Sequence, residues 1–155
     1  MSAPFGVILA GGQATRMGGG DKGLLVLGCG VILDHVIARL GPQVRAMALN
    51  ANGDPARFAR FGLPVLADPI ADYPGPLAGV LAGLDWAAEE GGDTIVTVAA
   101  DTPFFPRDLV ARLQGAAAGM AHPLALAATP RGVEETRSMS RGGLVRHPTF
   151  GLWPV

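Results

Sequence analysis

The 155-residue chain is poor in the features that mark several classes of protein. It has one cysteine, so it cannot form an intramolecular disulfide framework. Its net charge is −1 with both signs dispersed, which indicates neither a nucleic-acid tract nor a patch for an anionic membrane. No stretch of the sequence approaches the ~18 consecutive apolar residues of a membrane span, and no signal-peptide pattern opens it. We therefore expect a cytoplasmic protein that binds neither nucleic acid nor membrane.

Short apolar strand patterns alternate along the chain with helical ones. Strands are predicted at 5–9, 24–27, 44–49, 63–67, 94–100 and 123–128, and helices at 32–40, 77–90 and 107–119. This alternation predicts a three-layer α/β fold, a Rossmann-like, doubly wound and mostly parallel sheet flanked by helices. The length fits one domain, 1–155.

A glycine-rich loop follows the first predicted strand. It reads Ala10-Gly-Gly-Gln-Ala-Thr-Arg-Met-Gly-Gly-Gly-Asp-Lys22 and carries two cations, Arg16 and Lys22. Glycines leave backbone N–H groups open to close approach by anionic oxygens. The loop is not a Walker A loop, because no Ser or Thr follows the lysine, and its adjacent early glycines do not fit the dinucleotide fingerprint. We predict a loop that binds polyphosphate.

Polar side chains follow other predicted strands, at the carboxyl edge where parallel sheets bind ligands. Asn50 stands where its amide could read a base edge, although it could also serve only the geometry of a turn. Asp68 reaches the same edge. Asp101 follows the most apolar strand and is well placed to hold Mg²⁺; the alternative is that it caps the helix that Pro106 begins.

Three stretches resemble the molybdenum cofactor guanylyltransferases, which join GTP to molybdopterin. Residues 9–22 resemble the family signature L-A-G-G-x-x-x-R-M-G-x-x-D-K, and Asp72–Gly79 matches the segment D-Y-P-G-P-L-A-G. His147–Trp153 resembles the H-P-x-F-x-L-W strand of the family. Members of the family continue with further helices and an N-x-N-T-P motif. The resemblance covers all of this chain, but the chain lacks the last part of the family pattern. The resemblance therefore predicts a member that is shortened at its C-terminus.

The resemblance implies a Mg²⁺-dependent enzyme that transfers GMP from GTP to the terminal phosphate of molybdopterin. It implies catalytic roles for Arg16, Lys22 and Asp101, with Asp101 as the Mg²⁺ ligand. Together with the strand-end positions, it assigns nucleotide binding to Leu9, Ala10, Gly11, Gly12, Lys22, Asn50, Asp68 and Asp101. Contact with the acceptor substrate is predicted for Tyr73, Pro74, Gly75, Gly79 and His147. Further partners would be other cofactor-biosynthesis proteins or molybdoenzyme chaperones.

Two other functions stay open from the sequence. One is a different nucleotidyltransferase, which activates a sugar phosphate or cytidylylates the pterin. The other is a nucleotide-binding module without turnover. The predicted loop 129–143 carries Arg131, Arg137 and Arg141, which either are solvated or contact an anionic substrate.

Overall fold

A six-stranded sheet forms the centre of the computed structural model, which describes residues 2–11, 21–70, 75–130 and 143–155. Its strand order is β5-β4-β1-β6-β8-β7, and two further short strands pair with each other as a hairpin. The strands are β1 (Phe5–Leu9), β2 (Val26–Leu27), β3 (Gly30–Val31), β4 (Met47–Asn50), β5 (Val65–Leu66), β6 (Thr94–Ala99), β7 (Ala125–Pro130) and β8 (Leu144–Pro154). Strands β5, β4, β1 and β6 are parallel, whereas β8 is antiparallel to both β6 and β7.

Helices cover both faces of this sheet. They are α1 (Ile32–Leu40), α2 (Leu77–Glu89) and α3 (Leu109–Ala116). Buried side chains of α1 and α3 pack in one core cluster with Ile8 and Val98, while α2 packs in a second cluster with Val7 and Ile95. Neighbouring residues of one strand therefore point into opposite cores, which confirms the three-layer α/β fold.

Local sequence patterns account for these main elements. The β6 run Thr-Ile-Val-Thr-Val-Ala is almost entirely buried, as expected of a central strand covered on both faces. In α1, the buried residues Leu33, Val36 and Leu40 recur at helical spacing. Strand β1 lies between β4 and β6, so the loop after it begins at the point where the strand order reverses, as predicted.

Several predicted boundaries are wrong, most clearly the strand at 24–27. A 3₁₀ helix, Lys22–Leu24, occupies its first part, and β2 begins only at Val26. Gly28, with a φ of 63°, makes the tight turn from β2 to β3, and this hairpin stays outside the main sheet.

Other elements differ mainly in length. The predicted strand 44–49 begins at Met47 and 63–67 shortens to β5, while the predicted helix 107–119 shortens to α3. The predicted strand 123–128 runs on to Pro130. Two further 3₁₀ helices are Gly41–Gln43 and Pro55–Phe61, the second of which we call the Arg–Phe helix. Within the described ranges, no helix combines the length and the apolar character needed to cross a membrane.

Candidate functional site

Four parallel strands end at one edge of the sheet, and each delivers a predicted site residue there. Strand β1 leads to Gly11, β4 ends at Asn50, β5 leads to Asp68, and β6 leads to Asp101. The N–H of Ala10 donates to the carbonyl of Asn50 at 2.8 Å, and the N–H of Ala100 donates to the carbonyl of Leu9 at 3.1 Å. The sheet itself thus brings together the strand ends that the sequence predicted.

Asn50 positions Asp68. It is 1% exposed, and its Nδ2 donates to the carbonyl of Leu66 at 3.1 Å and to Oδ1 of Asp68 at 2.8 Å. Because both amide hydrogens are used inside the protein, the geometry does not support the expectation that this amide donates to a base edge. Nucleotide binding by Asn50 and Asp68 stays a prediction, with Asp68 as the more accessible of the two.

Asn52 clamps Asp68 from the other side. Its Nδ2 donates to Oδ2 of Asp68 at 2.8 Å, and its Oδ1 accepts from the backbone N–H of Asp68 at 2.8 Å. Sequence reasoning did not single out Asn52. Such a reciprocal pair fixes both the carboxylate and its backbone, so Asp68 is held ready at the strand edge.

Two glycines make room for the buried amide oxygen of Asn50. A Cβ placed on Gly11 would lie 2.8 Å from Oδ1 of Asn50, and one placed on Gly79 would overlap the same atom. Gly79, in the first turn of α2, is therefore packed against Asn50, and its contact with an acceptor substrate stays a prediction. Gly75, with a φ of 134°, precedes α2 on the surface.

Lys22 and Asp101 come together although they belong to different parts of the chain. Gly23 is buried against the end of β6, where a Cβ on it would lie 3.1 Å from the carbonyl oxygen of Ala100. This packing leaves Lys22 Nζ 4.0 Å from Asp101 Oδ2, with side chains 68% and 42% exposed. An exposed pair at this distance contributes roughly 0–1 kcal/mol, so either group can turn to a ligand at little cost.

Asp101 does not cap a helix. Helix α3 begins at Leu109 with Asp108 at its N-cap, and Asp101 Oδ1 instead accepts from the hydroxyl of Thr102 at 3.1 Å. The capping alternative from the sequence is therefore wrong. A carboxylate that is exposed at the end of a central parallel strand is free to meet a ligand.

The donor set fits a Mg²⁺ ion held jointly with phosphate. Among residues 2–11, 21–70, 75–130 and 143–155, no group of three His, Cys, Asp or Glu could hold a metal ion. Mg²⁺ in nucleotide sites is usually bound by one or two carboxylates, with phosphate oxygens and waters supplying the rest. The carboxylate of Asp101 meets that requirement, whereas an all-protein metal cage is not present in these ranges.

The structure adds a residue that sequence reasoning missed, Arg57 of the Arg–Phe helix. Its Nε donates to Oδ2 of Asp21 at 2.7 Å, and its two terminal nitrogens donate to the carbonyls of Asp54 and Asn52, both at 2.6 Å. The guanidinium carbon lies 4.4 Å from the ring centre of Phe58. The sequence carried a signal for this helix, because 56–61 reads Ala-Arg-Phe-Ala-Arg-Phe. Its three-residue repeat matches the three residues per turn of a 3₁₀ helix.

His147 lies on β8, in the part of that strand before its pairing with β6. Its Nε2 is 2.9 Å from the hydroxyl oxygen of Thr129 on β7. This contact joins β7 to β8, and a role of His147 toward the acceptor stays a prediction. The predicted residues Gly12, Arg16, Tyr73 and Pro74 lie outside the described residues, as do Arg131, Arg137 and Arg141.

Comparison with known proteins gives a consistent family. The model of the MobA-like NTP transferase domain matches residues 6–151. A molybdenum cofactor guanylyltransferase of Mesorhizobium japonicum is 55% identical over 151 residues, which are 97% of this chain and 66% of that protein. One from Bradyrhizobium sp. is 51% identical over 152 residues, with the same two shares. The chain thus spans about 66% of the length of these curated relatives.

Solved structures share the fold at lower identity. Molybdopterin-guanine dinucleotide biosynthesis protein A of Archaeoglobus fulgidus gives a TM-score of 0.60 at 18% identity, over 97% of this chain and 67% of that one. A CMP:2-keto-3-deoxy-manno-octonic acid synthetase complexed with CTP gives a TM-score of 0.71 at 14% identity, over 99% and 74% of the two chains. At these identities, the likeness establishes the nucleotidyltransferase fold.

Proposed function

The chain belongs to the MobA-like NTP transferase family, and we propose that it transfers GMP from GTP to the terminal phosphate of molybdopterin. The products would be molybdopterin guanine dinucleotide and pyrophosphate. The names of relatives at 50–55% identity support this activity. The structural observation that carries it is the exposed Lys22–Asp101 pair at the edge where the parallel strands end.

The nucleotide would lie across the carboxyl edge, with its phosphates at the glycine-rich loop. Lys22, as a flexible point charge, would contact the phosphates that leave as pyrophosphate and stabilise the charge that grows on them. Asp68, held by Asn50 and Asn52, would face the guanosine. Lys22 Nζ and Asp101 Oδ2 lie 4.0 Å apart, so the two side chains could serve the same phosphate. The ammonium would contact the phosphate, and the carboxylate would hold the Mg²⁺ ion.

Asp101 is the residue that would hold Mg²⁺, which when bound would neutralise part of the triphosphate charge. The nucleophile is a phosphate that is already ionised near neutral pH, so the protein need not supply a general base. What the chain contributes is alignment of acceptor and α-phosphorus, together with stabilisation of the departing charge. A cytoplasmic location and partners such as other cofactor-biosynthesis proteins or molybdoenzyme chaperones stay predictions.

Calorimetric titration with GTP, in the presence and absence of Mg²⁺, tests the nucleotide half of this proposal. We expect GTP to bind more tightly with Mg²⁺ and more tightly than CTP, ATP or UTP. Asp101→Asn should remove the Mg²⁺ dependence, and Lys22→Ala should weaken GTP about tenfold or more by removing a charge-assisted contact. Asp108→Asn, which alters an exposed carboxylate paired with Arg112 on α3, is the matched control and should leave GTP affinity unchanged.

The other outcomes separate the alternatives. Preference for CTP would favour the cytidylyl enzyme, and Mg²⁺ dependence that survives in Asp101→Asn would contradict the ligand assignment. Binding of GTP without release of pyrophosphate when molybdopterin is added would favour a nucleotide-binding module.

A further inference from the structure

We propose that Arg57 is a positioning residue for the nucleotide site, which fixes Asp21 and thereby the neighbouring Lys22. The inference rests on the proposed function and deepens it. Among the described residues, Arg57 binds Asp21 rather than Lys22 itself. It acts by holding the end of the glycine-rich loop against the Arg–Phe helix.

The guanidinium group of Arg57 makes an ion pair, two hydrogen bonds to backbone carbonyls and a contact with an aromatic ring. The ion pair with Asp21 has one short bond, Nε to Oδ2 at 2.7 Å, and a second, longer one, Nη2 to Oδ1 at 3.4 Å. The bonds to the carbonyls of Asp54 and Asn52 fix the plane, and Phe58 covers one face of it. With side chains only 29% and 23% exposed, Arg57 and Asp21 are less screened by water than a surface pair.

These bonds continue into the rest of the site. Asp68 is clamped by Asn52, the carbonyl of Asn52 accepts from Arg57, and Arg57 binds Asp21, which precedes Lys22. One chain of hydrogen bonds therefore runs from the guanosine side of the proposed site to its phosphate side. Loss of Arg57 would release the peptide that carries Lys22, whereas Asp68 would keep its bonds to the side chains of Asn50 and Asn52.

The same helix supplies a matched control in Arg60, one 3₁₀ turn later. Its guanidinium carbon lies 4.5 Å from the ring centre of Phe61, and its Nη2 donates to Oδ2 of Asp34 at 2.7 Å. Asp34 belongs to α1 and is not among the groups that the proposed site uses. Each arginine thus pairs with a carboxylate and lies over the ring of the next residue. Arg57 also donates to two backbone carbonyls, and its carboxylate partner, Asp21, is the neighbour of Lys22.

The test compares Arg57→Ala with Arg60→Ala in the presence of Mg²⁺. Titration with GTP and with guanosine measures whether the contribution of the triphosphate to the binding free energy changes. We expect Arg57→Ala to raise the Kd for GTP about tenfold and to leave the Kd for guanosine within about twofold. Arg60→Ala should leave both affinities within about twofold. Arg57→Lys should restore little, because an ammonium cannot bond the carboxylate and two carbonyls in one plane.

A double-mutant cycle decides whether Arg57 acts through Lys22. In a Lys22→Ala background, Arg57→Ala should cause no further loss of GTP affinity, since the group that it positions is already absent. Asp21→Asn, which keeps the side-chain shape, should reproduce the Arg57→Ala loss and remains available if Arg57→Ala does not fold.

Three results would overturn the assignment of Arg57. They are additive losses in the double mutant, equal effects of Arg57→Ala and Arg60→Ala, and an equal loss of affinity for guanosine and GTP. Failure of the proposed function gives a different pattern, because the unmodified protein would then show no preference for GTP over guanosine or CTP.

Discussion

Asn50 and Asp101 show how contacts decide the role of a single residue. Asn50 is the last residue of β4 and Asp101 comes shortly after β6, so the sequence places both at the same edge. Asn50 is buried with its amide hydrogens donated to Leu66 and Asp68, whereas the carboxylate of Asp101 is exposed beside Lys22. The first therefore organises the site, and the second is available to a ligand.

Asp34 is a residue whose charge matters to the fold rather than to the site. The backbone N–H of Val31 donates to its Oδ2 at 2.9 Å and is the main cause that holds the pKa of Asp34 below its ordinary value. Partial burial opposes this shift, and the hydrogen bond from Arg60 adds to it. Because the pKa of Asp34 is lower in the folded protein, its ionised carboxylate stabilises the fold at pH values above the ordinary pKa. This stabilisation is lost as the pH falls through the pKa of the folded protein.

We therefore predict a pH-dependent penalty for Asp34→Asn. The variant should melt below the unmodified protein at pH 7, and the difference should shrink as the pH falls below about 4. Thermal melts at pH 7, 5, 4 and 3 check this. Arg60→Ala should keep most of the pH dependence, since the amide of Val31 is the larger cause. A penalty for Asp34→Asn that is the same at pH 3 as at pH 7 would contradict the prediction.

At the scale of elements, helix α2 is shaped by small residues on the side that meets the sheet. A Cβ on Gly83 would lie 2.7 Å from Val7 of β1, and Gly79 meets Asn50 of β4 in the same way. Both glycines are therefore required by close packing of the helix on the strands. The helix and the buried amide of Asn50 hold each other in place.

Alanine substitution in two helices should distinguish this packing from helix propensity. Gly79→Ala should lower the free energy of unfolding by about 1–3 kcal/mol, because the new methyl overlaps the amide of Asn50. Gly115→Ala in α3, where a Cβ would meet nothing within 4 Å, should raise it by about 0.5–1 kcal/mol. Urea denaturation measures both. Gly79→Ala should also weaken GTP binding, and a stabilised Gly79→Ala would refute the packing argument.

For the whole molecule, burial separates the inner part of β8, which pairs with β6, from its outer part, the β7–β8 end, where 144–147 pair with β7. Leu152 of β8 is fully buried in the core between the sheet, α1 and α3. By contrast, an open groove of about 660 Å³ lies at the outer end of the sheet, lined by Leu124, Leu126, Ala128, Leu144 and Arg146. The exposed side chains of this groove contribute little to the folded core.

Two leucine-to-alanine variants on the same strand test this division. Leu152→Ala should lower the free energy of unfolding by about 2–5 kcal/mol, since it leaves a cavity in the core. Leu144→Ala, at an exposed position of β8, should change it by less than about 0.5 kcal/mol. Denaturant unfolding of both variants provides the measurement. Similar losses in the two would show that the β7–β8 end is as much a part of the core as the centre.

The sequence by itself determined the α/β class and the family, and it predicts the phosphate loop after β1. These are local features. Strand and helix periodicity can be recognised within one stretch of chain, and so can a contiguous motif such as residues 9–22. The sequence also placed Asn50, Asp68 and Asp101 at strand ends, because parallel strands all end at one edge. The exact bounds of β2, β5 and α3 could not be predicted, because strand pairing and turns override weak local preferences for strand or helix.

Only the tertiary structure decided which of these residues bond to each other. The approach of Lys22 to Asp101, the donation of both amide hydrogens of Asn50, and the ion pair of Arg57 with Asp21 join residues far apart in the chain. No periodicity encodes such contacts, because they depend on strand order and on the packing of the Arg–Phe helix. The sequence therefore fixes which chemical groups reach the edge, while the fold determines which of them are committed to one another and which stay free for a ligand.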